Sequence, residues 1–195
     1  YSRNEICDDV SEVKNEIFKE CFKAFKIKNS LEIHTMSDVP GNSGLGSSGS
    51  FISAINYFLK IYKNKKLTKQ DIANLSCKIE MLNLKRNCGK QDQFISTFGG
   101  IRELIIDKSG KVKIKKINIK HHILKKIQNS LAIFYTGYTR SSELILASQK
   151  KFFENSKTAK NKIMKEIEKI GHRTKKYLVN GDIENLGVLC RKHWN

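Results

Sequence analysis

Between residues 10 and 25, Val13, Ile17, Cys21 and Phe25 recur at every fourth position with charged residues around them, and this spacing predicts an amphipathic helix. Asn29-Ser30 breaks it. Leu31-Glu32-Ile33-His34-Thr35-Met36 then alternates apolar and polar side chains, the period of a half-buried strand. Helical spacing returns with Phe51, Ile52, Ala54, Ile55, Phe58, Leu59 and Tyr62, predicting a helix from about Ser47 to Tyr62. Asn64-Lys65-Lys66 reads as a turn, and Thr68 as the N-cap of a helix whose buried stripe is Ile72, Leu75, Ile79 and Leu82. Glu80 falls beside that stripe. Two alternating runs within residues 104–119, joined at Asp107-Lys108-Ser109-Gly110, predict a β-hairpin. A short helix over 121–128, a buried strand over 131–135 and helices over 143–153, 157–179 and 183–194 complete the chain, with Asn180-Gly181 as a turn.

The junction between the first predicted strand and the helix that follows it carries the chemistry. Residues 37–50 read S-D-V-P-G-N-S-G-L-G-S-S-G-S. Glycines there admit positive φ and remove Cβ atoms, so backbone N–H groups can converge on an anion. The following helix adds unpaired N–H donors and the positive end of its dipole. Such a loop is a phosphate cradle, and spacing separates its candidate owners. A P-loop needs Lys-Ser/Thr after its last glycine, whereas Gly46 is followed by Ser47 and Ser48. Gly44-Leu45-Gly46-Ser47-Ser48-Gly49 matches the dinucleotide pattern G-x-G-x-x-G. That pattern wants an acidic residue about 20 positions on in a βαβ unit, and the later Asp71 and Glu80 fall in a second predicted helix.

The string P-x-x-x-G-L-G-S-S, spelled by Pro40, Gly44, Leu45, Gly46, Ser47 and Ser48, resembles the ATP-binding signature of the GHMP kinases, the family of galactokinase and of homoserine, mevalonate and phosphomevalonate kinases. Gly89-Lys90-Gln91-Asp92-Gln93, followed by Phe98-Gly99-Gly100, is similar to sugar-phosphate members of that family, heptose 7-phosphate kinases above all. Thr136-Gly137-Tyr138-Thr139-Arg140 resembles the T-G-x-T-R segment of the same group. The resemblance implies an α+β GHMP-kinase fold. Residues 1–120 would form an N-terminal ATP-binding half like ribosomal protein S5 domain 2, and residues 121–195 the start of a helix-rich C-terminal half. It implies ATP-dependent phosphorylation of a sugar phosphate, at the anomeric hydroxyl of a heptose 7-phosphate in nucleotide-activated heptose synthesis, with ATP and Mg2+ as cofactors.

Carried over residue by residue, the resemblance assigns the ATP cradle to Pro40, Gly41, Asn42, Ser43, Gly44, Leu45, Gly46, Ser47, Ser48, Gly49 and Ser50. Ser48 and Glu80 become the metal ligands, and Asp92 the residue that accepts the hydroxyl proton. As substrate-binding cations, Lys90 would offset charge on the γ-phosphate and Arg140 would give the sugar's phosphate a bidentate fork. Gly49 departs from the alanine or serine usual after G-L-G-S-S. The family's opening G-G-T-D-like segment and closing G-x-G-G-G loop do not occur in this sequence, which together with Tyr1 in first place reads as a piece of a longer kinase.

Composition narrows the picture further. A chain of 195 residues with 39% hydrophobic residues and one proline can bury a sizeable core in one domain or two small ones. The net charge of +18 would suit nucleic acid, anionic membrane or phosphorylated metabolites alike. Only six of the 37 basic residues are arginine, however, and lysines are spread through nearly every segment, which reads as a solvated surface. Five scattered cysteines without a C-x-x-C pair read as reduced thiols of a cytoplasmic protein, and no apolar run is long enough to span a membrane. The expected partner is a small sugar phosphate, with no membrane and no nucleic acid; the oligomeric state stays open, a homodimer included. Two other readings stand beside the kinase: an inactive fragment that keeps the phosphate loop, and a basic nucleic-acid-binding module.

Overall fold

The computed structural model describes residues 4–28, 30–39, 41, 43–134, 137 and 142–194, without the side chains of 142–144, 157 and 194. The chain divides into two compact units, residues 1–99 with 137–146, and residues 100–136 with 147–195.

The first unit is helical. After a 3-10 turn at Val10–Glu12 come α1 (Glu16–Phe25), α2 (Ser47–Tyr62), α3 (Lys69–Lys78), a π turn at Ile79–Asn83, and α4 (Gln91–Phe98). The helix expected over 10–25 is interrupted because the Asn15 side chain accepts from the N–H groups of Ile17 and Phe18 and so starts α1. Thr68 caps α3 in a capping box with Asp71, as the spacing predicts. Cys21, Phe25, Ile27, Ile52, Ile55, Leu59, Ile72 and Ile79 form the buried core, with Phe18 and Phe51 meeting edge to face at 5.4 Å on its margin.

Three expectations are corrected here. Residues 31–36 belong to no strand. Their zigzag is present, with Leu31 and Ile33 half-buried and Glu32 paired with His34 at 2.8 Å on the outer side. Alternation reports side-chain burial, whereas a strand also needs a neighbour to take its N–H and C=O groups. Residues 131–134 likewise form no strand, and Leu131, Ile133 and Phe134 are exposed; Tyr135 lies outside the described residues. Finally, the stripe of the third helix does not run through Leu82. The π turn inserts an extra residue into the helical repeat; Leu82 is exposed and Glu80 is buried.

The second unit holds a two-stranded antiparallel sheet, β1 (Arg102–Ile106) and β2 (Val112–Lys116), with Leu104 opposite Ile114. Asp107 accepts from the N–H groups of Ser109 and Lys111 and shapes the turn that the sequence predicts. On β2, Val112 is buried and Ile114 half-buried, while Lys113 and Lys115 are exposed, so the strand alternates between a packed and a solvated face. Four helices follow: α5 (His121–Asn129), α6 (Ser142–Asn155), α7 (Lys157–Asn180) and α8 (Ile183–Trp194), α6 running across the division between the units. α7 ends at Gly181 in the left-handed region (φ 68°), whose carbonyl accepts from Lys126 Nζ. The class is α+β, with strands few and helices dominant.

Candidate active site

Every described element of the site lies in the first unit. Gly44 (φ 80°) and Gly46 (φ 70°) bend the loop through the left-handed region, and Gly46 occupies the N-cap of α2. Among the described residues no side chain caps this 16-residue helix, so its leading N–H groups face the loop without a side-chain acceptor there. The hydroxyl of Ser43 is buried and finds no hydrogen-bond partner among the described residues. Uncapped donors and an orphaned hydroxyl in one glycine loop fit a polyphosphate, which brings acceptors to both. Pro40 and Asn42 lie outside the described residues.

Ser48, in the first turn of α2, donates to Glu80 Oε1 at 2.5 Å across 32 residues of chain. The π turn delivers Glu80 to this place: its side chain is buried in the middle of helical structure, with its second oxygen, Oε2, accepting from Gln93 Nε2 at 2.5 Å. Gln93 is itself buried, and its backbone carbonyl accepts from Ser53 and Thr97. Ser48 Oγ also accepts from Arg86 Nη1 at 2.9 Å. The two residues that the resemblance assigns to magnesium are thus in direct contact and present hard oxygens side by side. Among the described residues no three His, Cys, Asp or Glu side chains converge as a metal cluster. Magnesium takes one or two protein oxygens and completes its shell with phosphate and water, and the Ser48–Glu80 pair offers oxygens of that kind.

Asp92 sits in the first turn of α4 against the cradle. A Cβ on Gly46 would lie 3.0 Å from Asp92 Cγ, and one on Gly49 would lie 2.8 Å from Asp92 Cβ and 3.2 Å from the backbone nitrogen of Gln93. Gly49, the departure from the family pattern, is what lets α2 and α4 approach this closely. Burial above all, and then the negative charge of Glu80, hold the Asp92 carboxyl above the usual aspartate range. Lys90 occupies the N-cap position of α4, and its charge is felt at the Cys77 thiol. Arg140 lies outside the described residues. Burial, ahead of all charges, pushes Cys77 up to about 12 and Cys88 to about 11, so neither presents a thiolate near neutral pH.

Arg86 and Gln93 have no assigned role in the sequence reading. Gln93 lies inside the G-K-Q-D-Q string but is apolar in neither type nor spacing, and nothing in the local pattern marks Arg86 as reaching Ser48.

A direct test of the packing is Gly49→Ala. Alanine gains about 1 kcal/mol of helix propensity over glycine, but overpacking costs about 1–3 kcal/mol. The obstructing atoms are Asp92 Cβ and backbone, which no rotamer change removes. A net loss of about 1 kcal/mol is expected, read as a lower urea midpoint with the unfolding slope unchanged.

Comparison with known proteins agrees with this geometry. Residues 13–100 match the GHMP kinases N terminal domain. The chain is 27% identical over 188 residues to the D-glycero-alpha-D-manno-heptose 7-phosphate kinase of Campylobacter jejuni subsp. jejuni, covering 96% of this chain and 55% of that protein. It is 26% identical over 182 residues to the mevalonate kinase of Saccharolobus solfataricus, covering 93% of this chain and 54% of that protein. The chain therefore spans about half the length of the curated relatives it matches at near-full coverage of itself. A crystal structure of a D-glycero-D-manno-heptose 1-phosphate kinase from Bacteroides thetaiotaomicron superposes with a TM-score of 0.73 at 22% identity, over 97% of this chain and 55% of that one. That likeness gives the fold, which is the GHMP-kinase fold. The uncapped glycine loop, the helix behind it, the Ser48–Glu80 pair and Asp92 all fall within residues 13–100, the stretch that matches the N-terminal domain of the GHMP kinases.

Proposed function

We propose that this protein is part of an ATP-dependent sugar-phosphate kinase that phosphorylates the anomeric hydroxyl of a heptose 7-phosphate, in a cytoplasmic route to nucleotide-activated heptose. The observation that carries the proposal is the contact of Ser48 with buried Glu80 at the head of an uncapped helix, one helix away from Asp92. The choice of a heptose phosphate over other acceptors rests on the G-K-Q-D-Q and F-G-G strings and on the near-complete coverage of this chain by a heptose 7-phosphate kinase.

In this reading the loop and the N-terminus of α2 hold the polyphosphate through backbone donors. Ser48 and Glu80 would hold magnesium, which when bound neutralises charge on the transferring phosphoryl group. Asp92 accepts the proton of the sugar hydroxyl as that oxygen bonds to the γ-phosphorus and the bond from phosphorus to the bridging oxygen of ADP breaks. A carboxyl lifted above the aspartate range is a better base for this than an ordinary one.

The test is heat-unfolding with and without Mg-ATP, for the wild type and Ser48→Ala. Saturation at 100 times the dissociation constant stabilises by about 2.7 kcal/mol, or several degrees for a domain of this size. A shift present in the wild type and absent in the variant is the expected result. No shift in a folded wild type would leave the inactive fragment as the better account.

A further inference from the structure

The cradle has a charge problem. Glu80 is buried against Ser48, and Asp92 packs on the glycines of the same loop. Two carboxylates beside a loop built for a polyanion repel it, and in a partly buried site that repulsion is weakly screened. A magnesium ion offsets part of this; a fixed cation would offset more.

Arg86 brings one. Its Nη1 lies 2.9 Å from Ser48 Oγ, while its Nη2 stands 3.9 Å from a carboxylate oxygen of exposed Glu16. An ion pair of that length to an exposed side chain is weak and does not consume the guanidinium's charge. Ser48 is not exhausted either: its hydroxyl donates to Glu80, accepts once from Arg86, and keeps a second lone pair for a metal. Metal and guanidinium can therefore both serve the same phosphate groups from different sides of one serine.

The backbone that aims Arg86 is unusual for seven residues. The π turn at Ile79–Asn83 is followed by Lys85 in the left-handed region at φ 53°, and the Arg86 N–H then donates to the Glu80 carbonyl at 3.1 Å. A non-glycine residue at positive φ is strained, and such strain persists only where the surroundings fix it. Here the one segment sends Glu80 inward and Arg86 onto the same serine.

We propose that Arg86 is a catalytic cation of this site, binding the terminal phosphate groups of the nucleotide. The proposal rests on the reading of residues 40–50 as an ATP cradle. The guanidinium fork suits phosphate oxygens in a way that lysine cannot reproduce.

The test is titration of the chain with Mg-ATP, Mg-ADP and AMP, at 50 and 200 mM salt, for wild type, Arg86→Gln and Arg86→Lys. Arg86→Gln is expected to weaken ATP about tenfold, ADP less and AMP not at all, and to flatten the salt dependence of ATP binding. Arg86→Lys recovers part of the loss. Equal ATP affinity in wild type and Arg86→Gln overturns the proposal while leaving the cradle intact. An equal loss for ATP and AMP also overturns it, because a residue that merely props the loop would weaken all three ligands. A folded wild type that binds none of them removes the cradle reading itself, and the role of Arg86 with it.

Discussion

Asp92→Asn is expected to lower phosphoryl transfer by about 100- to 10,000-fold, the range for loss of a general base, and at the same time to raise the melting temperature of the unliganded protein near neutral pH. The two effects share one cause. Burial and the charge of Glu80 raise the proton affinity of the Asp92 carboxyl in the folded state. A carboxyl whose folded pKa lies above its unfolded value favours folding while both states hold the proton. That advantage is lost as pH rises from the unfolded value through the raised folded one. The ionised form of Asp92 is therefore one that the fold tolerates at a cost. Asparagine keeps the shape and drops the charge. Melting curves from pH 4 to 8 check this: the wild type loses stability relative to Asp92→Asn as pH rises through that window. Parallel curves would show that the carboxylate carries no burden, and surviving turnover with ATP and heptose 7-phosphate would remove Asp92 as the base.

Much of this arrangement was legible in the sequence, and the exceptions have definite physical causes. Helices announced themselves wherever apolar residues kept a period near 3.6: α2 begins and ends where the spacing placed it, and α8 does too. The hairpin was legible because Asp107 and Gly110 have few roles outside a turn. Glu80 is the instructive failure. A regular helix continuing from Ile72 and Leu75 puts Leu82 inside; the π turn breaks the period after Lys78, exposing Leu82 and burying Glu80. Nothing in a hydrophobicity pattern encodes a π turn, so the stripe was carried on to Leu82, whereas the position that lies inside is Glu80, which the spacing placed beside the stripe. α4 was missed for a related reason: its buried side chains are Gln93 and Phe94, and a buried glutamine carries no apolar signal. Arg86 was invisible because its partner lies 38 residues away and its direction is set by a strained backbone.

Buried Gln93 is where this site is most vulnerable to a single substitution. The carboxyl of buried Glu80 is satisfied inside the protein because Ser48 donates to one oxygen and Gln93 to the other. Gln93→Leu preserves volume closely and removes the donor to Glu80 together with weaker contacts to the Cys77 and Cys88 thiols, leaving Glu80 Oε2 buried beside a methyl group. Loss of a hydrogen bond to a buried charged group costs about 3 kcal/mol, large against the total stability of a small domain. Urea unfolding should show this as a lower midpoint. The paired variant Glu80→Gln, Gln93→Leu removes the charge that needed the donor. The two substitutions should therefore be strongly non-additive, with the double variant more stable than the sum of the singles predicts. Additive losses would mean that Glu80 finds water instead of Gln93. The same experiment reaches function, because a carboxylate held at only one oxygen can turn away from Ser48. Gln93→Leu that remains folded at low temperature should thus need more magnesium to bind ATP, whereas a defect confined to packing would lower stability and leave the metal requirement unchanged.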